Sequence, residues 1–128
     1  MRFEDGLTLD TGALIALERG DREMSAILTR ARVRDVKLTV PSGVIAQAWR
    51  GGPRQVRIAK LLTGPDIETP ALDEHSARAV GALCGISGTS DVVDAHVALV
   101  ARQRDYAVVT SDPDGIRAID PSLRIIAI

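Results

Sequence analysis

Short apolar runs of strand length alternate with longer segments of helical periodicity along this sequence, and that alternation constrains the fold more than any other feature. Leu7-Thr8-Leu9 reads as a buried strand that stops at Asp10. Leu14, Ile15 and Leu17 then recur at helical intervals from Thr11 to Arg19, and Gly20 ends that helix. Met24, Ile27, Leu28 and Ala31 define one face of a second helix over Asp21 to Arg34. A strand follows at Lys37 to Val40. Pro41 stands at a helix start, ahead of a helix carrying Val44, Ile45, Ala48 and Trp49 that Gly51-Gly52 closes. Pro53 opens another helix with Val56, Ile58, Ala59, Leu61 and Leu62. A short strand is expected at Asp66 to Thr69, and a helix from Asp73 to about Cys84. Gly85 to Ser90 reads as a polar loop. Asp91 to Arg102 is helical, Tyr106 to Thr110 a strand, and Leu123 to Ile128 a last apolar strand. The pattern predicts one α/β domain over 1–128, its parallel sheet covered on both faces. In such sheets, ligands sit beyond the carboxyl ends of the strands, where strand order reverses.

Composition narrows the function. The 128 residues suit a single domain, and a hydrophobic fraction of 45% supports a packed core. Lys plus Arg total 16 against 17 Asp plus Glu, so a globally basic nucleic-acid binder is excluded, though a local basic patch is not. One cysteine, Cys84, rules out an internal disulfide framework and a cysteine-based zinc site. The start, Met1-Arg2-Phe3-Glu4-Asp5, lacks the apolar segment of a signal peptide, and no apolar run reaches the roughly 18 residues of a membrane span. The cytoplasm is the expected compartment. With only Phe3, Trp49 and Tyr106 as aromatics, a base-stacking platform is not expected.

The aspartates carry the chemistry. Asp10 and Asp112 each follow a strand and fall at the same edge of the sheet. Each is also a good helix N-cap, and Pro113 after Asp112 fits a helix start. Asp91 and Asp94 are neighbours on one helix face. Asp94 is the informative one: Val97, Ala98 and Ala101 place it on an apolar face, where an ionised carboxylate needs an arginine, hydrogen bonds or a metal. Clustered carboxylates repel by about 4 kcal/mol per pair at roughly 4 Å and an effective dielectric near 20. A divalent cation reverses that sign. Oxygen donors without paired His or Cys favour Mg²⁺ or Mn²⁺ over zinc.

Leu9-Asp10-Thr11-Gly12-Ala13-Leu14, Val93-Asp94-Ala95 and Val109-Thr110-Ser111-Asp112, with Asp112 at an interval of 18 from Asp94, resemble the PIN-domain ribonucleases. The run from Val40 to Arg50 is similar to the branch of VapC-type toxins of bacterial type II toxin–antitoxin pairs. The resemblance spans Leu7 to Ile128. It implies a three-layer α/β/α fold around a five-stranded parallel sheet and a metal-dependent endoribonuclease holding Mg²⁺ or Mn²⁺. Asp10, Asp94 and Asp112 correspond to the family's catalytic and metal-binding acids, with Asp91 and Asp114 as accessory acids. It further implies a homodimer and a VapB-like antitoxin that masks the acidic pocket. One position departs from the family: Gln47 stands where the second acid normally sits, so weaker metal affinity, or a single metal, is expected. Loss of activity, leaving an RNA- or protein-binding module, is the competing reading.

Thr110 and Ser111 are candidates to bond a carboxylate or phosphate, or to shape a turn. Arg50, Arg54, Arg57 and Lys60 recur at helix-like intervals and offer contacts to RNA phosphates; Arg30, Arg32, Arg34 and Lys37 form a second basic run. Either run reads equally well as a solvated face. His75 and His96 are assigned structural or exposed roles, and Cys84 a core position. A receiver domain would need a lysine after the last catalytic strand, but the only lysines are Lys37 and Lys60. No P-loop is present, and Gly85-Ile86-Ser87-Gly88-Thr89 lacks the final glycine of a hydrolase elbow.

Overall fold

The computed structural model describes residues 6–128; the reading of Met1-Arg2-Phe3-Glu4-Asp5 lies outside the described residues. Five strands pair side by side, all parallel: β1 (Gly6–Leu9), β2 (Lys37–Thr39), β3 (Ile67–Glu68), β4 (Ala107–Thr110) and β5 (Ile125–Ala127). Their spatial order is β3-β2-β1-β4-β5, so the direction of winding reverses between β1 and β4. Register is fixed there by Leu7 opposite Ala107 and Leu9 opposite Val109. Every residue of β1 and β4 is buried, as expected of central strands covered on both faces.

The helices are α1 (Thr11–Glu18), α2 (Arg22–Val33), α3 (Ser42–Ala48), α4 (Val56–Leu62), α5 (Glu74–Ser87), α6 (Val92–Arg104) and α7 (Pro113–Ile119). Helix α1 packs against α2, α3 and α4, whereas α5, α6 and α7 pack mainly among themselves, with α6 also meeting α3. Two helical groups around one sheet make the three-layer α/β/α arrangement. Leu7, Leu9, Leu14, Met24, Val44, Ile58, Val97 and Ile116 are fully or almost fully buried in its core. Burying each large aliphatic side chain contributes roughly 1.5–3 kcal/mol.

Several boundaries differ from the sequence reading. Helix α5 continues through Gly85 to Ser87, because Gly88, at φ 79°, is the residue that adopts the left-handed conformation ending a helix. Helix α3 starts one residue after Pro41 and ends at Ala48, before the glycine pair. Trp49 is already extended, and the buried Gln55 takes over the terminus: its Oε1 accepts from the Arg50 and Gly51 N–H groups at 2.7 and 2.9 Å, and its Nε2 donates to the Ala48 carbonyl at 2.7 Å. Pro53 opens a 3-10 turn to Gln55 before α4 begins. The outer strands β3 and β5 are shorter than the segments Asp66 to Thr69 and Leu123 to Ile128 read as strands in the sequence. Cys84 is only half-buried, not in the core.

Candidate functional site

Three helices begin at the carboxyl edge of the sheet around the reversal point, and each is capped by an aspartate. Asp10 Oδ1 accepts the Ala13 N–H at 2.9 Å at the start of α1. Asp91 Oδ1 accepts the Asp94 N–H at 2.9 Å at the start of α6. Asp112 Oδ1 accepts the Gly115 N–H at 3.1 Å at the start of α7. The capping reading of Asp10 and Asp112 is therefore correct, and it is compatible with a site, since each cap engages Oδ1 and leaves Oδ2 outside the cap. The positive ends of three helices also converge on these acids, which favours negative charge there.

Asp94 is not a cap. Its carboxyl is half-buried and pushed up to about 7, first by burial, then by the neighbouring charge and hydrogen bond of Asp91, and then by the charges of Asp10 and Asp112. Asp10, 4% exposed, is also raised, mainly by burial and further by Asp112. Hydrogen bonds from the Thr110 hydroxyl and the Ala13 N–H offset part of that rise. The Thr110 hydroxyl in turn accepts the Asp112 N–H at 2.8 Å, so it ties two of the acids together. Asp94 thus stands within electrostatic reach of Asp91, Asp10 and Asp112, and Asp10 within reach of Asp112. None of the four forms an ion pair with an arginine or lysine among the described residues.

The donor set fits Mg²⁺ or Mn²⁺ chemically: four carboxylates, three with an oxygen not used in capping, and a repulsion that a cation would relieve. As the side chains stand, no three acids or histidines among the described residues are grouped closely enough to ligate one ion, so joint coordination requires rotation about their side-chain bonds.

The other sequence candidates divide. Gln47 is exposed, and its Oε1 accepts from the Thr11 hydroxyl at 2.5 Å, which puts its neutral amide beside the residue that follows Asp10. Ser111 Oγ packs over the start of α1: a Cβ on Gly12 would overlap it and lie 3.4 Å from Asp10 Oδ1. Asp114 does not join the cluster; its side chain is 99% exposed and lies 3.6 Å from Arg117. Glu18 is engaged elsewhere, accepting from Gln55 Nε2 at 2.6 Å.

In the basic run, Arg50 donates to the Ala46 and Trp49 carbonyls at 3.2 and 2.7 Å, and Arg57 to the Glu18 carbonyl at 3.2 Å. Both thus satisfy helix C-terminal carbonyls, and all four, Arg54 and Lys60 included, are exposed. His75 is exposed and His96 is 2% exposed, with Nδ1 lacking a partner among the described residues. The sequence reading missed Gly12 as a site residue. A glycine in the first turn of a helix is the signal that marks it.

An apolar cavity of about 470 Å³ opens on the far side of α1, between α2, α4 and β2. Leu28, Leu38, Leu61 and Ile67 line it, and Arg32, Arg57 and Lys60 stand along it. No single helix among the described residues is long and apolar enough to cross a membrane.

No protein-family model matches the chain, and no curated protein matches it. Solved structures do. A chain of FitAB bound to an IR36 DNA fragment superposes with a TM-score of 0.64 and 17% identity, covering 94% of both chains. VapBC2 from Rickettsia felis, bound to a DNA fragment from its promoter, gives a TM-score of 0.68 at 15% identity, over 95% of this chain and 98% of that one. FitAcB from Neisseria gonorrhoeae gives 0.59 at 17% identity, over 94% and 96%. The fold is PIN-like, three-layer α/β/α, as the sequence resemblance implied.

Proposed function

We propose that this protein is a metal-dependent endoribonuclease and the toxin of a type II toxin–antitoxin pair. The observation that carries the reading is the convergence of Asp10, Asp91, Asp94 and Asp112, from three separate stretches of chain, with no basic side chain paired to any of them among the described residues. Helix capping accounts for Asp10, Asp91 and Asp112 but not for Asp94, whose half-buried carboxyl their charges oppose.

Asp10, Asp94 and Asp112 are the residues that would hold a Mg²⁺ or Mn²⁺ ion, with Asp91 beside them. When bound, the ion would supply Lewis-acid polarisation of a phosphodiester and a water of lowered pKa. Thr110 fixes Asp10 relative to Asp112, and Ser111 borders the site on the α1 side. All four cations of the predicted basic run are exposed; Arg50 and Arg57 also serve helix termini and Lys60 stands along the apolar cavity, which leaves Arg54 for RNA phosphates.

The partner is an antitoxin. The apolar cavity between α2 and α4, where Arg32, Arg57 and Lys60 outnumber Asp66, suits an amphipathic segment carrying acidic residues. A basic side chain from the same partner, set among the aspartates, would meet the charge demand that the ion meets. The likeness to FitAB and VapBC2 chains supports this reading. A homodimer and action on RNA in the cytoplasm complete it.

Gln47 favours a second reading, a PIN-like module that binds RNA or a partner without cutting. Incubating the purified protein with labelled RNA separates the two. The ribonuclease reading expects cleavage with Mg²⁺ or Mn²⁺ that is abolished by EDTA and by Asp94→Asn. Binding without cleavage at any divalent-ion concentration rejects it in favour of the module.

A further inference from the structure

We propose that the groove along the exposed face of α1 is a nucleotide subsite, holding the residue next to the scissile phosphate of a single-stranded RNA; this rests on the ribonuclease reading above. Gly12, Ile15, Ala16 and Arg19 stand at i, i+3, i+4 and i+7 and so form one continuous stripe of the helix. They line a cavity of about 360 Å³ whose opposite wall is Ser111 and Ile128. The stripe runs from the acidic cluster at Gly12 to Arg19, roughly 10 Å along the axis at 1.5 Å per residue.

Three features point to a nucleotide. First, α1 is apolar on nearly every side, with Ala13, Leu14 and Leu17 in the core, yet Ile15 remains 36% exposed. An apolar strip left open at a polar site is suited to the face of a base, which binds aliphatic or aromatic surface. Second, the two ends differ in charge. Arg19 is exposed at the far end, and Asp21, the other charged residue there, is turned to its own helix, Oδ2 accepting the Met24 N–H at 2.8 Å. A phosphate therefore finds its cation at Arg19. Third, the groove is continuous with the acids. Gly12 carries no Cβ, so Ser111 Oγ occupies the space where one would be, and that space is 3.4 Å from Asp10 Oδ1. A strand with one phosphate on Arg19 and its base on Ile15 and Ala16 runs directly to the carboxylates. The small volume suits one nucleotide better than a helical peptide.

The test uses Ile15→Asp and Arg19→Ala, both at exposed positions outside the core. Cleavage of a labelled single-stranded RNA is followed across salt concentrations, alongside Mn²⁺ affinity of each protein without RNA. The groove predicts a KM raised about fivefold or more with kcat preserved for both variants. For Arg19→Ala the slope of log affinity against log salt should fall by about 0.7, the contribution of one phosphate contact to a single strand. Mn²⁺ affinity should not fall in either variant, since each makes the surroundings of the acids more negative. Unaltered KM and salt slope in both variants overturn the subsite while leaving the nuclease intact. Variants that keep their RNA kinetics but lose binding to a protein partner assign the groove to that partner instead, and also overturn it. A wild-type protein that neither binds nor cleaves RNA defeats the ribonuclease reading itself, and the subsite with it.

Discussion

Asp91 accepts the backbone N–H of Asp94 at 2.9 Å and, with the same carboxylate, makes the Asp94 side chain hard to ionise. One residue begins the helix and burdens the acid one turn further on. That pairing is one reason why the Asp94 carboxyl is pushed up to about 7, alongside its own burial.

A pH dependence follows. An acid whose pKa is higher folded than unfolded contributes stability that is present below the unfolded value of 3.8 and is lost as pH rises towards about 7. A tenfold change in proton affinity corresponds to about 1.4 kcal/mol, reduced here because solvent screens the half-buried group. Asp10, also raised, adds in the same direction. Buried His96, whose pKa is lowered, contributes the opposite slope near its usual value. Urea unfolding at about pH 5 and about pH 8 in EDTA, compared between wild type and Asp94→Asn, isolates the aspartate. Wild type should lose stability relative to the variant as pH rises, and Mn²⁺ should remove the difference.

Gly12→Ala should damage activity more than folding. The new Cβ would collide with Ser111 Oγ, so the serine must move from the edge of the site. Relief by side-chain rotation keeps the stability cost to about 1–3 kcal/mol. Cleavage assays beside thermal melts check this; unchanged kcat and KM would show that the Ser111 position is immaterial.

Gln47→Glu tests the departure from the family pattern. The Thr11 hydroxyl can donate to a carboxylate as readily as to the amide oxygen it meets now at 2.5 Å. Added negative charge beside Asp10 should tighten Mn²⁺ binding several-fold and lower the melting temperature without metal. Equal Mn²⁺ affinity in the two proteins would place residue 47 outside the electrostatic field of the site.

Gln55→Ala should be strongly destabilising. It would strand the Arg50 and Gly51 N–H groups and the Ala48 carbonyl, and remove the donor to Glu18. Unsatisfied buried polar groups cost about 1–3 kcal/mol each, so a loss of about 3 kcal/mol is expected in equilibrium unfolding. Mn²⁺ affinity measured well below the melting temperature should hold, because no acid of the site lies on that loop.

What the sequence revealed, and what it hid, follows from the range of the interactions. The central strands were legible because Leu7, Leu9, Val108 and Val109 are buried whatever surrounds them. Asp94 stood out as an acid on the buried face of a helix, a conflict visible from periodicity alone. Helix ends were less legible: Gly85 looked like a terminator, yet only the backbone conformation of Gly88 ends α5. The roles of Gln55 and Gly12 depend on contacts with Glu18 and Ser111, 37 and 99 residues away, which no local pattern encodes. Arg57 has the spacing of a solvent-facing cation, and only the fold brings the Glu18 carbonyl, 39 residues away, beside it.

The most direct measurement of the central claim is a calorimetric titration of the purified protein with Mn²⁺ near neutral pH, in two buffers of different ionisation enthalpy. Wild type should bind the ion and release a proton as Asp94 ionises, and Asp94→Asn should bind far more weakly and release none. Absence of Mn²⁺ binding by the wild type, or identical binding by the two proteins, would contradict the account.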